Sequence, residues 1–184
     1  SAEDALRKLK EDSKRVNDES RREAERLKRE IEKINEDSDR EVEKVKKKIE
    51  ELLEKVERDG VDKKDVDRLR ERVEEIKRRL EEVRRDSKRL VEEMRKTLEE
   101  VLERSRKISE DIARRLDRVK DEVKDERELK RVLEEVERLI EKVKTDNKRV
   151  LDEIRKILEE IERKNRKVLK EVEDLLKTME DEAR

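Results

Sequence analysis

The chain has 184 residues, 62% of them charged and 29% hydrophobic, and its 57 basic residues balance 58 acidic ones to a net charge of −1. It contains no Trp, Tyr, Phe, His, Cys or Pro and a single glycine, Gly60. Those absences exclude disulfide frameworks, thiol chemistry and Cys-based zinc sites, and they remove imidazole, the commonest general base and metal ligand. Balanced charge with strictly periodic apolar residues is the composition of long helices and coiled coils, not of disordered chains.

The pattern predicts a first helix over about 2–58, opened by Ser1 with Asp4. It breaks at Arg58-Asp59-Gly60-Val61-Asp62. Gly60 suits the left-handed residue that closes a helix, with Val61 packing back on the last turn. Asp62 then caps a second helix over 63–122, with Asp65 near the positive end of its dipole. The second break, Glu122-Val123-Lys124-Asp125, has no glycine. Asp125 followed by Glu128 reads as the cap of a third helix over 126–182. Connections this short make sequential helices antiparallel neighbours. The expected fold is therefore all-α, an antiparallel, coiled-coil-like bundle of three long helices, with residues 1–184 as one bundle. A single uninterrupted helix is the rival, but it needs neither an apolar stripe nor a Gly turn.

The apolar stripe repeats every 18 residues. Leu9, Leu27 and Val45 align in the first helix, Leu80, Leu98 and Leu116 in the second, and Val136, Ile154 and Val172 in the third. Eighteen residues in five turns is the pitch of a straight α-helix, so no supercoil is imposed. Each apolar arc covers roughly 100–120°, enough to face two neighbours. At 1.5 Å per residue each helix is about 85 Å long, and a nearly straight, three-sided monomeric rod is expected. Net charges of −2, +3 and −2 for residues 1–60, 61–124 and 125–184 favour that pairing weakly.

The strict 18-residue repeat, the aromatic-free Leu/Ile/Val core, the Glu/Lys/Arg surface and the short Asp-Gly loop resemble parametrically designed, untwisted three-helix bundles. The resemblance covers the whole chain and rests on no single motif. It implies a de novo, hyperstable scaffold with no biological role. The number of polar residues on the core face departs from the simplest such bundles.

These polar residues are Ser13, Asn17, Ser20, Asn35 and Ser38 in the first helix, Ser87, Ser105 and Ser109 in the second, and Asn147 and Asn165 in the third. Folding at the two turns brings Asn35, Ser38, Ser87 and Asn165 to one height. Asn17, Ser20, Ser105 and Asn147 meet about 27 Å away, 18 residues at 1.5 Å each. Asn and Ser together supply donors and acceptors, so each cluster can satisfy itself as a buried hydrogen-bond layer. The alternatives are solvated edges of the stripe or a small polar ligand site.

Nothing else in the sequence points to chemistry. Carboxylate pairs such as Glu134/Glu135 and Glu159/Glu160 fall outside the apolar arc, where water leaves acidity unperturbed. No nucleophile–base pair, inward carboxylate set, metal site or cofactor site is expected. Lys44-Val45-Lys46-Lys47-Lys48 is flanked by acidic residues and has no aromatic to stack on a base, so it reads as a solvated face, not a nucleic-acid site. No apolar run approaches the roughly 18 residues that span a bilayer, no signal peptide opens the chain, and the charge-balanced polar faces do not suit a membrane surface. A soluble protein is expected, cytoplasmic when expressed in a host cell. The sequence predicts a non-enzymatic structural scaffold with no required partner. The alternative is a helical interaction module, a coiled-coil spacer or helix-binding bundle, with Leu90, Leu102 and Ile108 as margins for self-association.

Overall fold

The computed structural model describes residues 2–60 and 62–182. Among them the backbone forms α1 (Ala2–Arg58), α2 (Lys63–Glu122) and α3 (Glu126–Glu182), and every pair of helices is in contact. The chain is an all-α three-helix bundle. Its helices stop where the apolar pattern stops, because only the two breaks carry residues that favour leaving or entering a helix.

Gly60 adopts a φ of 68°, the left-handed conformation that costs an L-residue steric strain. Just before it, the Asp59 amide still reaches the Lys55 carbonyl at 3.1 Å. The Asp62 carbonyl accepts from the amides of Asp65 and Val66 at 3.0 and 3.1 Å, so Asp62 holds the N-cap position through its backbone. Val61 and Ser1, expected at a helix ending and a helix start, lie outside the described residues. The second turn needs no glycine, since no described non-glycine residue has positive φ. There the Asp125 carboxylate accepts the Arg127 amide at 3.2 Å while its carbonyl accepts that of Leu129 at 3.1 Å. That is a side-chain cap. Glu126 and Glu128 follow in the first turn, next to the positive end of the α3 dipole.

Contacts group the chain into two compact units, Ser1–Arg29 with Met94–Lys156 and Glu30–Glu93 with Ile157–Arg184. In the first, Leu6 of α1, Ile112, Leu116 and Val119 of α2, and Val136 and Ile140 of α3 form a buried cluster. Two α1–α2 contacts, Lys10 with Asp117 and Asn17 with Ser105, run in opposite directions along the two helices, which are antiparallel. Between α1 and α3 the pairs Ser20–Asn147 and Glu23–Arg155 rise together, so these helices are parallel.

The second unit is centred on Val42, Val45 and Ile49 of α1, Val73, Ile76 and Leu80 of α2, and Val172, Leu176 and Met179 of α3. Fully burying each such side chain contributes roughly 1.5–3 kcal/mol. Around this core, Lys46–Glu81, Arg84–Asp39 and Arg70–Glu57 tie α1 to α2, and Arg79–Glu171 ties α2 to α3. These pairs are partly or largely exposed and contribute up to about 1 kcal/mol each. The apolar core carries the fold.

Candidate functional site

Polar residues inside an apolar core need partners, since an unpaired buried amide or hydroxyl costs several kcal/mol on the order of 1–3. Each unit contains one Ser/Asn layer that supplies them. In the first unit, Asn17 and Ser20 lie three residues apart and so share a face of α1. The Ser105 hydroxyl donates to Asn17 Oδ1 at 3.0 Å. Asn147 Nδ2 donates to Ser20 Oγ at 3.0 Å and to Ser105 Oγ at 3.3 Å. The result is an unbroken chain, Asn17–Ser105–Asn147–Ser20, that touches all three helices. Ser20, Ser105 and Asn147 are buried and Asn17 is half-buried.

The layer of the second unit uses positions related to these by 18 residues. Asn165 Nδ2 donates to Ser38 Oγ at 2.9 Å, and the Ser87 hydroxyl donates to Asn165 Oδ1 at 3.2 Å. Ser87 and Asn165 are buried and Ser38 is half-buried. Asn35 departs from the expected four-membered cluster, because it is half-buried and makes no hydrogen bond to the layer. The cause is the single proton of a serine hydroxyl. Ser105 spends its proton on Asn17, whereas Ser87 spends the equivalent proton on Asn165. Ser13 is also buried, at 7% exposure, and Ser109 is half-buried, but neither joins the hydrogen-bonded chains.

A groove between α1 and α3 borders each layer. In the first unit it encloses about 300 Å³ and is lined by Val16, Ser20, Glu23, Leu151 and Arg155. In the second it encloses about 240 Å³, with Ile34, Ser38, Asn165 and Leu169 along it. Glu23 pairs with Arg155 across the first groove, a contact the sequence did not single out.

Outside the layers, shifted acidity follows exposed ion pairs. The Lys46 ammonium, hydrogen-bonded at 2.6 Å, holds Glu81 below the usual carboxylate range. Arg106 does the same to Glu103 at 2.7 Å, and its own guanidinium is held more firmly protonated by that bond. Within the basic run, Val45 is buried in the core and Lys46 is the residue bound to Glu81. Glu134, Glu135, Glu159 and Glu160 are exposed. Among the described residues no group of three or more His, Cys, Asp or Glu is placed to hold a metal ion, and no helix is long and apolar enough to cross a membrane.

The margins of the stripe also differ from expectation. Leu90, Leu102 and Ile108 are half-buried, and Ile108 packs on the core of the first unit. The large apolar side chains left most exposed are Ile157 and Leu175 of α3, at 37% and 36%. Their 18-residue spacing is the signal that marks them as one column on the helix. No protein-family model, curated protein or solved structure matches the chain.

Proposed function

We propose that the chain is a designed structural scaffold in which an apolar core supplies stability and two Ser/Asn layers fix the alignment of the helices. The observation that carries this reading is the closure of hydrogen bonds across all three helices in each layer. A uniform apolar stripe with an 18-residue repeat matches itself after an 18-residue slide, and apolar contact has no direction with which to reject the slide. A layer displaced from its partners strands buried donors and acceptors, which penalises the wrong alignment. In this role the molecule needs no catalytic group, cofactor or partner, and it works as a monomer.

The test replaces all eight residues, Asn17, Ser20, Asn35, Ser38, Ser87, Ser105, Asn147 and Asn165, with fitted aliphatic side chains. Stability should hold or rise, because packed apolar groups carry no desolvation cost. Solution mass and packing should then become heterogeneous, with dimers or shifted alignments. A variant that stays a single, uniquely packed monomer overturns the proposal.

A second reading, a helical interaction module, is favoured by the exposure of Ile157 and Leu175 on one column of α3. It predicts that Ile157→Lys with Leu175→Lys abolishes self-association measured at high concentration. If no self-association occurs in the parent chain, this reading fails.

A further inference from the structure

The two layers contain the same residue types at repeat-related positions, yet they are wired differently. Asn17 and Asn35, Ser20 and Ser38, and Asn147 and Asn165 are each 18 residues apart in the forward direction, and Ser105 and Ser87 are 18 apart in reverse. Because α2 runs antiparallel to α1, the step forward on one helix compensates the step back on the other. Ser87 is therefore placed toward Asn35 as Ser105 is toward Asn17. The contacts between α1 and α3 repeat faithfully, Asn147 to Ser20 and Asn165 to Ser38. Only the donor choice of the α2 serine differs.

We propose that the layer of the second unit is a two-state hydrogen-bond switch, with Asn35 as the reserve acceptor for Ser87. In the observed state Ser87 donates to Asn165 Oδ1, and Asn35 is left without a partner in the layer. In the second state the Ser87 hydroxyl turns to Asn35 Oδ1. The Asn165 carboxamide then keeps Ser38 and gives its other Nδ2 hydrogen to Ser87 Oγ, which is the wiring Asn147 shows.

Atoms and protons balance in this exchange. One hydroxyl proton changes acceptor, one carboxamide changes its set of partners, and no group is ionised. The observed state has two hydrogen bonds in the layer and no polar tie from α1 to α2 there. The second state has three and adds that tie, at the expense of ordering the half-buried Asn35 side chain. Opposing changes of this kind bring two packings close in free energy, which is what a bistable element requires. The switch rests on the reading that the layer is buried and closed, but it predicts something the layer alone does not, a coupling between Asn35 and Asn165.

A double-mutant cycle measures that coupling. Asn35→Ala alone should change the unfolding equilibrium constant by less than about threefold. In the Asn165→Ala background, where Ser87 has turned to Asn35, adding Asn35→Ala should change it by about tenfold or more, since coupled neighbours deviate from additivity by roughly 0.5–3 kcal/mol. A crystal structure of the Asn165→Ala protein should place Asn35 Oδ1 about 3 Å from Ser87 Oγ.

Additive effects, or Ser87 bound to water or to a backbone carbonyl in that crystal, overturn the switch. The eight-residue aliphatic replacement reports separately on whether the layers fix alignment. A failed cycle with an alignment defect therefore refutes the switch alone, and an intact alignment refutes the scaffold role of the layers.

Discussion

Asn147→Ala is the most informative single substitution, because Asn147 joins both serine partners of its layer. The side chain is 7% exposed and donates to Ser20 Oγ and to Ser105 Oγ. Removing the carboxamide deletes both bonds, but the consequences are unequal. Ser105 keeps its bond to Asn17, whereas Ser20, itself buried, loses its observed partner in the layer. Two net hydrogen bonds at about 0.5–1.5 kcal/mol each, with one stranded hydroxyl that the adjoining groove partly rehydrates, sum to a loss of about 2–4 kcal/mol. For a chain of this size the guanidinium dependence is roughly 4–6 kcal/mol/M, so the midpoint should fall by about 0.4–1 M with an unchanged slope. Guanidinium titrations of the parent and variant, followed by circular dichroism, measure this directly. A fall below about 0.1 M would show that water already satisfies these groups and that the layer is not a buried network.

Four further outcomes follow from the same structure. Helical circular dichroism should persist to at least about 90 °C, and a cooperative melt near 50 °C would mean that the polar layers weaken the core far more than their hydrogen bonds repair. Gly60→Val should destabilise the protein by about 1–2 kcal/mol through backbone strain alone, since nothing lies within 4 Å of an added Cβ, and Gly60→Asn should be milder in the same thermal assay. Asp125→Ala should cost about 1 kcal/mol as its hold on the Arg127 amide is lost, whereas Asp62→Ala should cost less because Asp62 works through its backbone carbonyl. The depressed acidity of Glu81 and Glu103 contributes stability that is present above their unfolded pKa and is lost as pH falls through the lower folded value. Both groups are exposed, so a pH titration of the denaturation midpoint should show only a small acid-side decline, reduced further by Lys46→Met with Arg106→Met. The Ser/Asn layers contain no titratable group, so the cost of Asn147→Ala should be the same at pH 4 and pH 7.

The sequence made the helices legible because each rule it obeys acts locally. Gly60 was readable because a left-handed turn residue is sterically easy only without a Cβ, and Asp125 because an Asp ahead of an apolar repeat satisfies a first-turn amide. The eight layer residues were readable because an 18-residue repeat, folded at two known turns, fixes which heights coincide. What stayed hidden depends on finer geometry. A serine proton has one destination, and whether Ser87 sends it to Asn35 or to Asn165 is decided by shifts far smaller than the rise per residue. The stripe margins were misjudged for a related reason. Successive positions around an 18-residue wheel differ by about 20°, so a small rotation of α3 exposes Ile157 and Leu175 while Leu90, Leu102 and Ile108 are drawn partly inward. Cross-helix pairs such as Glu23–Arg155 and Lys46–Glu81 were equally hidden, because a surface this rich in charge offers many partners of similar energy.

The most direct test of the central claim, that the two layers are closed and buried, is nuclear magnetic resonance of the asparagine carboxamides in the unmodified protein. The Nδ2 protons of Asn147 should exchange slowly with water and show cross-relaxation to the β-protons of Ser20 and Ser105, and those of Asn165 should do the same toward Ser38. Carboxamide protons of Asn147 and Asn165 that exchange as fast as those of an exposed asparagine, with no contact to any serine, would contradict it.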